Sequence, residues 1–229
     1  MRPNAVAHPG PTTSALLYWV GWLWLTLFGW RTEGEPPQHA KAVLIATPHT
    51  SNWDLPHMLA AAFVFRLRVS WLGKHTLFRP PIGWIMRLLG GVPMDRTGPH
   101  GFVEQAASVL RGADRLIVAV PPSGTRSKAE QWKSGFYWIA HSAGVPVVCG
   151  YLDYSRRVAC LGESFVPSGD VAADMEHVRG IYEGVRGKFP ALETPIRLKE
   201  ERLLEDREAG EAGEAGEPVS EHAEDPGDP

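Results

Sequence analysis

Cysteine is nearly absent from this chain. Its 229 residues hold two, Cys149 and Cys160, eleven positions apart. That excludes a disulfide framework and the four-ligand spacing of a structural zinc site, and a reducing, cytosolic setting is the simplest reading. Histidine does not supply what cysteine lacks. His49, His57 and His75 are not at i, i+3 or i, i+4 spacing, so no metal is expected. There is no G-x-S-x-G nucleophile elbow. No repeat of solenoid length occurs, and the dispersed basic residues carry no stacking motif, which argues against nucleic acid. A long apolar run is also wanting. The leading candidate, residues 14–30, "SALLYWVGWLWLTLFGW", is 17 residues without a charge, at the lower edge of a membrane-spanning length. As a signal peptide it fails, with a single Arg far upstream and no small-residue cleavage site after it.

Tryptophan, in contrast, is plentiful. Nine are present, and Trp19, Trp22, Trp24 and Trp30 fall within that apolar segment. Trp favours positions with one edge apolar and the other wet. An interfacial, membrane-associating helix is therefore the favoured reading of residues 14–30, with a spanning helix and a buried core helix as alternatives. The formal charge of −3 hides an asymmetry. The last 25 residues hold ten acids and one Arg, so 16 of the 26 acids and 22 of the 23 bases remain in the body, a net of +6. A basic body suits anionic partners such as lipid headgroups or phosphorylated substrates.

The chain divides by composition into a polar, Pro-rich N-terminus (1–13), the apolar segment (14–35), one folded domain (36–198) and an acidic, low-complexity tail (199–229). Both ends are expected to be disordered. Within the domain, strand and helix signals alternate. "AVLIAT", "RVSWLGK", "RLIVAVPP" and "VPVVCGYLDY" are strand-like, and "GVPMDR" is a short strand or loop. "DLPHMLAAAFVFRL", "PPIGWIMRLLGG", "GFVEQAASVLRGAD", "KSGFYWIAHSAG" and residues 170–189 are helical. Such alternation predicts an α/β fold, a layered, mostly parallel sheet flanked by helices.

In open α/β sheets, ligands collect where strands end. Four loops hold that kind of position: "TPHTSNWD", "GGVPMDR", "PPSGTRSK" and the end of "VPVVCG". In the first, His49 and Asp54 are five apart, so on a continuous helix they would point about 140° away from each other. A turn between them, with Ser51 or Asn52 as N-cap, would let Asp54 reach back to His49. A carboxylate on one imidazole nitrogen makes the other a better base. The plainer alternative is a polar loop His and an Asp that complements the helix dipole. Arg96 and Arg126, with Gly124 and Thr125 beside the latter, bring anion-binding groups to the second and third loops.

The order and spacing of these motifs resemble the lysophospholipid acyltransferases, the family of 1-acylglycerol-3-phosphate acyltransferase and related glycerolipid enzymes. His49 and Asp54 in "HTSNWD" match its first motif, and Arg96 in "GGVPMDR" its second. Pro122, Gly124, Thr125, Arg126 and Ser127 match its third, and Val145 and Pro146 its fourth. The likeness covers residues 42–154. It departs at Ser123, where the family has Glu, at Pro121, where it has Phe, and at Cys149, where it has a second Pro. That Glu belongs to the acceptor side of the family's pocket, so the departure bears on the acceptor. The resemblance implies transfer of a fatty acyl group from acyl-CoA or acyl carrier protein, as co-substrate, to a lipid hydroxyl at the cytoplasmic face of a membrane, with no cofactor. His49 and Asp54 would be the base pair, and Arg96, Ser123, Gly124, Thr125 and Arg126 would bind substrate, with Lys128 a lesser candidate. Two rival classes are a hydrolase using Cys149 or Ser123 as nucleophile and a non-catalytic lipid-binding protein.

Overall fold

Residues 14–94 and 101–203 are described by the structure, a computed structural model. At its centre is β2 (Lys41–Ala46), whose "KAVLIA" run is buried on both faces, as a strand inside a parallel sheet must be. Beside it lie β5 (Leu116–Ala119) and β6 (Val147–Asp153). Past β5 come β3 (Val69–Lys74) and β4 (Gly91–Met94); past β6 come β7 (Val158–Phe165) and β1 (Arg31–Gly34). The seven-stranded order is β1-β7-β6-β2-β5-β3-β4, and every pairing is parallel except β6 with β7. Five strands therefore end at one edge of the sheet. The reversed β7 and β1 begin at that same edge, with Arg31 opposite Val158.

Helices cover both faces. On one, α4 (Phe102–Gly112), α5 (Gly135–Ala143) and α6 (Val171–Ile181) bury Val43, Ile45, Val118 and Val147 against Leu110, Phe136, Ile139 and Met175. Each such side chain contributes about 1.5–3 kcal/mol of hydrophobic stabilisation. On the other face, α2 (Asp54–Val64) lies against β6 and β7, and α1 (Ala15–Leu27) packs on α2. The close approach is made at Gly21, where a Cβ would stand 2.5 Å from the Ala60 carbonyl oxygen. Across from α2, the segment between β3 and β4 holds a 3-10 turn (His75–Phe78) and α3 (Gly83–Leu88). It is tied to the sheet by Trp71, which stacks on Phe78 and donates from Nε1 to the Leu89 carbonyl at 3.0 Å. Between α2 and this segment runs an apolar groove of about 220 Å³, floored by Leu44, Ala46 and Ala119 and walled by Leu55, Leu59, Trp71 and Leu89.

The layered α/β expectation holds, with differences at its margins. The helix expected over 170–189 stops at Ile181, because Gly184 takes the left-handed φ of +76° and turns the chain. The strands β1 and β7 carried no clear signal: "RTEG" is a half-exposed edge strand, and Gly162 and Glu163 interrupt β7. As a result, residues 14–35 contribute β1 to the sheet. The boundary drawn at 199 also falls inside packed chain, since Glu201 is buried, pairs with Arg179 at 2.7 Å and accepts from the Leu198 N–H. The remaining terminal segments, 1–13 and 204–229, lie outside the described residues. At 13 residues α1 is about 20 Å long, against roughly 30 Å of bilayer hydrocarbon. Among the described residues, no helix is long and apolar enough to cross a membrane.

Candidate active site

The loop after β2 leaves the middle of the edge where five strands end. It delivers His49 and then enters α2 at Asp54. The expected side-chain cap does not form: Trp53 is the N-cap residue and makes no such bond, while Ser51 Oγ accepts from the Trp53 N–H at 3.1 Å within the loop. Asp54 reaches backwards instead. Its Oδ2 accepts from the N–H groups of Thr50 and Ser51 at 2.9 and 3.0 Å and lies 2.9 Å from His49 Nδ1, and its Oδ1 accepts from the Tyr154 hydroxyl at 2.7 Å.

Asp54 is 0 % exposed. Burial opposes its ionisation, yet the hydrogen bonds from His49, Tyr154 and Ser51 outweigh that cost and hold the carboxyl below its ordinary range. Ionised, Asp54 can only accept, so His49 donates from Nδ1, and in the neutral ring Nε2 carries the lone pair. The His49 side chain keeps 18 % of its surface exposed, which leaves it open to solvent or a ligand while its partner is sealed. The N–H groups of Thr50, Ser51 and Trp53 are all engaged inside this turn.

Several neighbours of the pair were given no part in the site by the sequence, although His57 was weighed there as a metal ligand. Tyr154 follows β6, and burial together with its bond to Asp54 pushes its hydroxyl well above the ordinary tyrosine value, so it stays a donor. His57, one turn after Asp54, is buried among Trp30, at 4.6 Å between ring centroids, Phe28, Trp53 and Tyr154. Its Nδ1 accepts from Trp24 Nε1 at 3.2 Å, which requires the neutral ring, and burial lowers its pKa against the pull of the Asp54 charge. Trp24, Phe28 and Trp30 come from α1 and the turn after it, so the N-terminal segment is built into the surroundings of the pair. Lys188 lies 5.0 Å over the Trp53 ring, and the Phe189 N–H holds that strand of chain to Thr50 Oγ1 at 3.2 Å. A sequence signal existed only for Tyr154, two residues past the apolar run of β6.

The other motifs reach the same edge in part. Ser123 is buried and donates to the Thr125 carbonyl at 2.8 Å; Gly124 takes φ +64°, and Lys133 crosses over it. Thr125 accepts from the Ser127 N–H, and Arg126 and Lys128 are exposed. In the second motif β4 carries Gly91–Met94 to the edge, while Arg96 lies outside the described residues. The fourth motif differs from expectation. "VPVVCG" begins β6 rather than ending it, and Val145 is core. Cys149 there is fully buried, and burial pushes its thiol up to about 12, so the rival hydrolase loses that nucleophile.

A family model described as Acyltransferase matches residues 31–152. Over 123 residues the chain is 32% identical to the 1-acyl-sn-glycerol-3-phosphate acyltransferase of Streptococcus pneumoniae (strain ATCC BAA-255 / R6), covering 51% of this chain and 43% of that protein. Over 147 residues it is 30% identical to the chloroplastic 1-acyl-sn-glycerol-3-phosphate acyltransferase BAT2 of Brassica napus, covering 61% and 41%. The chain thus spans less than half the length of either relative. Its fold is similar to the crystal structure of the 1-acyl-sn-glycerophosphate (LPA) acyltransferase PlsC from Thermotoga maritima, with a TM-score of 0.50, 22% identity and coverage of 73% and 78%. With the family match spanning more than half of the 229 residues and containing the first three motifs, Val145 and Pro146, the chain belongs to the acyltransferase family.

Proposed function

We propose that this protein transfers a fatty acyl group from a thioester, acyl-CoA or acyl carrier protein, to a hydroxyl of a lysophospholipid or related glycerolipid. The observation that carries the reading is the His49–Asp54 pair, 2.9 Å apart, with a sealed and ionised carboxylate beside an imidazole that retains access. His49 Nε2 takes the proton from the acceptor hydroxyl as the oxygen attacks the thioester carbonyl. The C–O ester bond forms, the C–S bond breaks, and the proton passes from His49 to the departing thiolate. No covalent enzyme intermediate is needed. General-base help of this kind supplies roughly 10² to 10⁴ in rate.

The groove beside the pair supports the choice of substrate. Its lining from Leu44, Leu55, Leu59 and Leu89 suits an alkyl chain, and Ala46 at the end of β2 brings it to the loop that carries His49. The acceptor phosphate is assigned to Arg96 and Arg126, with Lys128 in support, and Ser123, Gly124 and Thr125 shape the acceptor side. α1, apolar and outwardly exposed at Leu16, Trp19, Val20, Leu23 and Leu27, attaches the enzyme to the cytoplasmic surface of a membrane without spanning it.

The test is a radiolabelled oleoyl-CoA assay on the purified protein with a panel of lyso-acceptors. Acylated product that depends on the acceptor and is lost in His49→Ala, but kept in Cys149→Ala, supports the transferase. Release of CoA that ignores the acceptor and survives His49→Ala would overturn it.

A further inference from the structure

Apart from Leu89, which lines the groove, the surface around α3 has no role in the reading above, and it is unusually apolar for a water-facing surface. Trp84 is 67 % exposed, Leu88 66 % and Ile82 56 %, and Leu77 and Leu89 are also exposed. Five large apolar side chains within 13 residues form a patch of the kind that marks a binding surface. Residues 55–94 hold five cations, Arg66, Arg68, Lys74, Arg79 and Arg87, and no Asp or Glu. All five are exposed, and among the described residues none forms a salt bridge. Exposed apolar side chains in a stretch that carries cations and no acid match the layering of an anionic phospholipid surface, with hydrocarbon beneath phosphate.

The position of the patch makes the case specific. α1, α2 and α3 lie on one face of the sheet, with α1 on the outer side of α2 and α3 across the groove. Arg66 bridges toward α1, its guanidinium 5.3 Å over the Tyr18 ring. The most exposed residues of the groove lining are Leu55 and Leu59 on the α2 side and Leu89 on the α3 side, so the groove opens between the two exposed apolar patches. A bilayer that meets only α1 would leave one wall of that opening in water. One that meets both would close the opening with hydrocarbon.

We propose that α3 and the turn before it form a second membrane contact, which with α1 straddles the groove and seats its mouth on an anionic phospholipid bilayer. This rests on the membrane reading of α1 given above. An alkyl chain then moves between lipid and groove without crossing water, a transfer that the hydrophobic effect strongly disfavours.

The test uses the full chain with Cys160→Ala, carrying an environment-sensitive fluorophore on Ile82→Cys, on Trp19→Cys in α1, or on Ser142→Cys on the opposite face. Vesicles of phosphatidylcholine and phosphatidylglycerol with nitroxide-labelled acyl chains are the probe. Quenching at positions 82 and 19 but not at 142 supports the proposal. Quenching at 19 alone overturns it and leaves the membrane reading standing, and quenching at neither overturns both. As a second measurement, Ile82→Asp with Trp84→Asp is expected to weaken vesicle binding about tenfold or more with an unchanged melting curve. If that pair instead dissolves a dimer in vesicle-free sedimentation, the patch belongs to a second copy and the proposal falls.

Discussion

The Tyr154 hydroxyl donates a 2.7 Å hydrogen bond to Asp54 Oδ1, the carboxylate oxygen that His49 does not use. Two residues a hundred positions apart thus fix the orientation of the carboxylate that orients the imidazole. Tyr154→Phe removes this bond and leaves the ring. Hydrogen bonds to charged groups contribute about 1.5–3 kcal/mol, so kcat is expected to fall on the order of tenfold or more while the KM for both substrates holds. Steady-state kinetics check this, and a matching fall with Asp54→Asn that does not add to it would show that both act through one carboxylate.

His57 supplies a pH dependence of stability. Its pKa is lowered by burial, so the unfolded chain binds more protons than the folded one as the pH drops through the ordinary imidazole value of 6.5. Stability therefore rises with pH in that window and is lost on acidification, and protonation also removes the acceptor that Trp24 needs. Urea unfolding between neutral and mildly acidic pH is expected to show a slope in the wild type that is reduced in His57→Gln.

Gly21 sets how closely α1 sits on α2. A Cβ there would meet the Ala60 carbonyl at 2.5 Å and Phe63 Cβ at 2.9 Å, both fixed to α2. Gly21→Val is expected to cost about 1–3 kcal/mol by overpacking and to shift α1, hence Trp24 and Trp30, off His57. Chemical denaturation measures the loss, and Trp fluorescence reports the displaced rings.

Ser123 is the sharpest departure from the third motif, and it is buried with its hydroxyl turned onto the Thr125 carbonyl. Ser123→Glu restores the family's carboxylate. The ratio of kcat/KM for lysophosphatidate to that for other lyso-acceptors is expected to change at least severalfold, with the KM for the acyl donor unchanged. An unaltered ratio would mean that this position does not select the acceptor.

The strands and helices were legible where local pattern suffices. "KAVLIA" is apolar throughout because both its faces are covered, and "GFVEQAASVLRG" carries a helical stripe that buries Ala106, Ala107 and Leu110. The turn that lets Asp54 meet His49 was legible too, although its cap was not: the carboxylate itself supplies the acceptors that Ser51 or Asn52 was expected to offer. Edge strands were harder, since β1 is short and polar and pairs with β7 alone in the sheet.

Sequence by itself determined that His49, Asp54 and the Gly124–Arg126 stretch would lie in loops that follow apolar strands, because a five-residue spacing, a glycine two positions before an arginine and an apolar run are local properties. Tertiary structure alone decided what stands around His49 and Asp54. Tyr154, the Trp24–His57 bond and the groove between α2 and α3 depend on which strands neighbour β2 and on the depth at which α1 docks. No periodicity encodes such pairings, since they arise only when distant faces are buried together in one register.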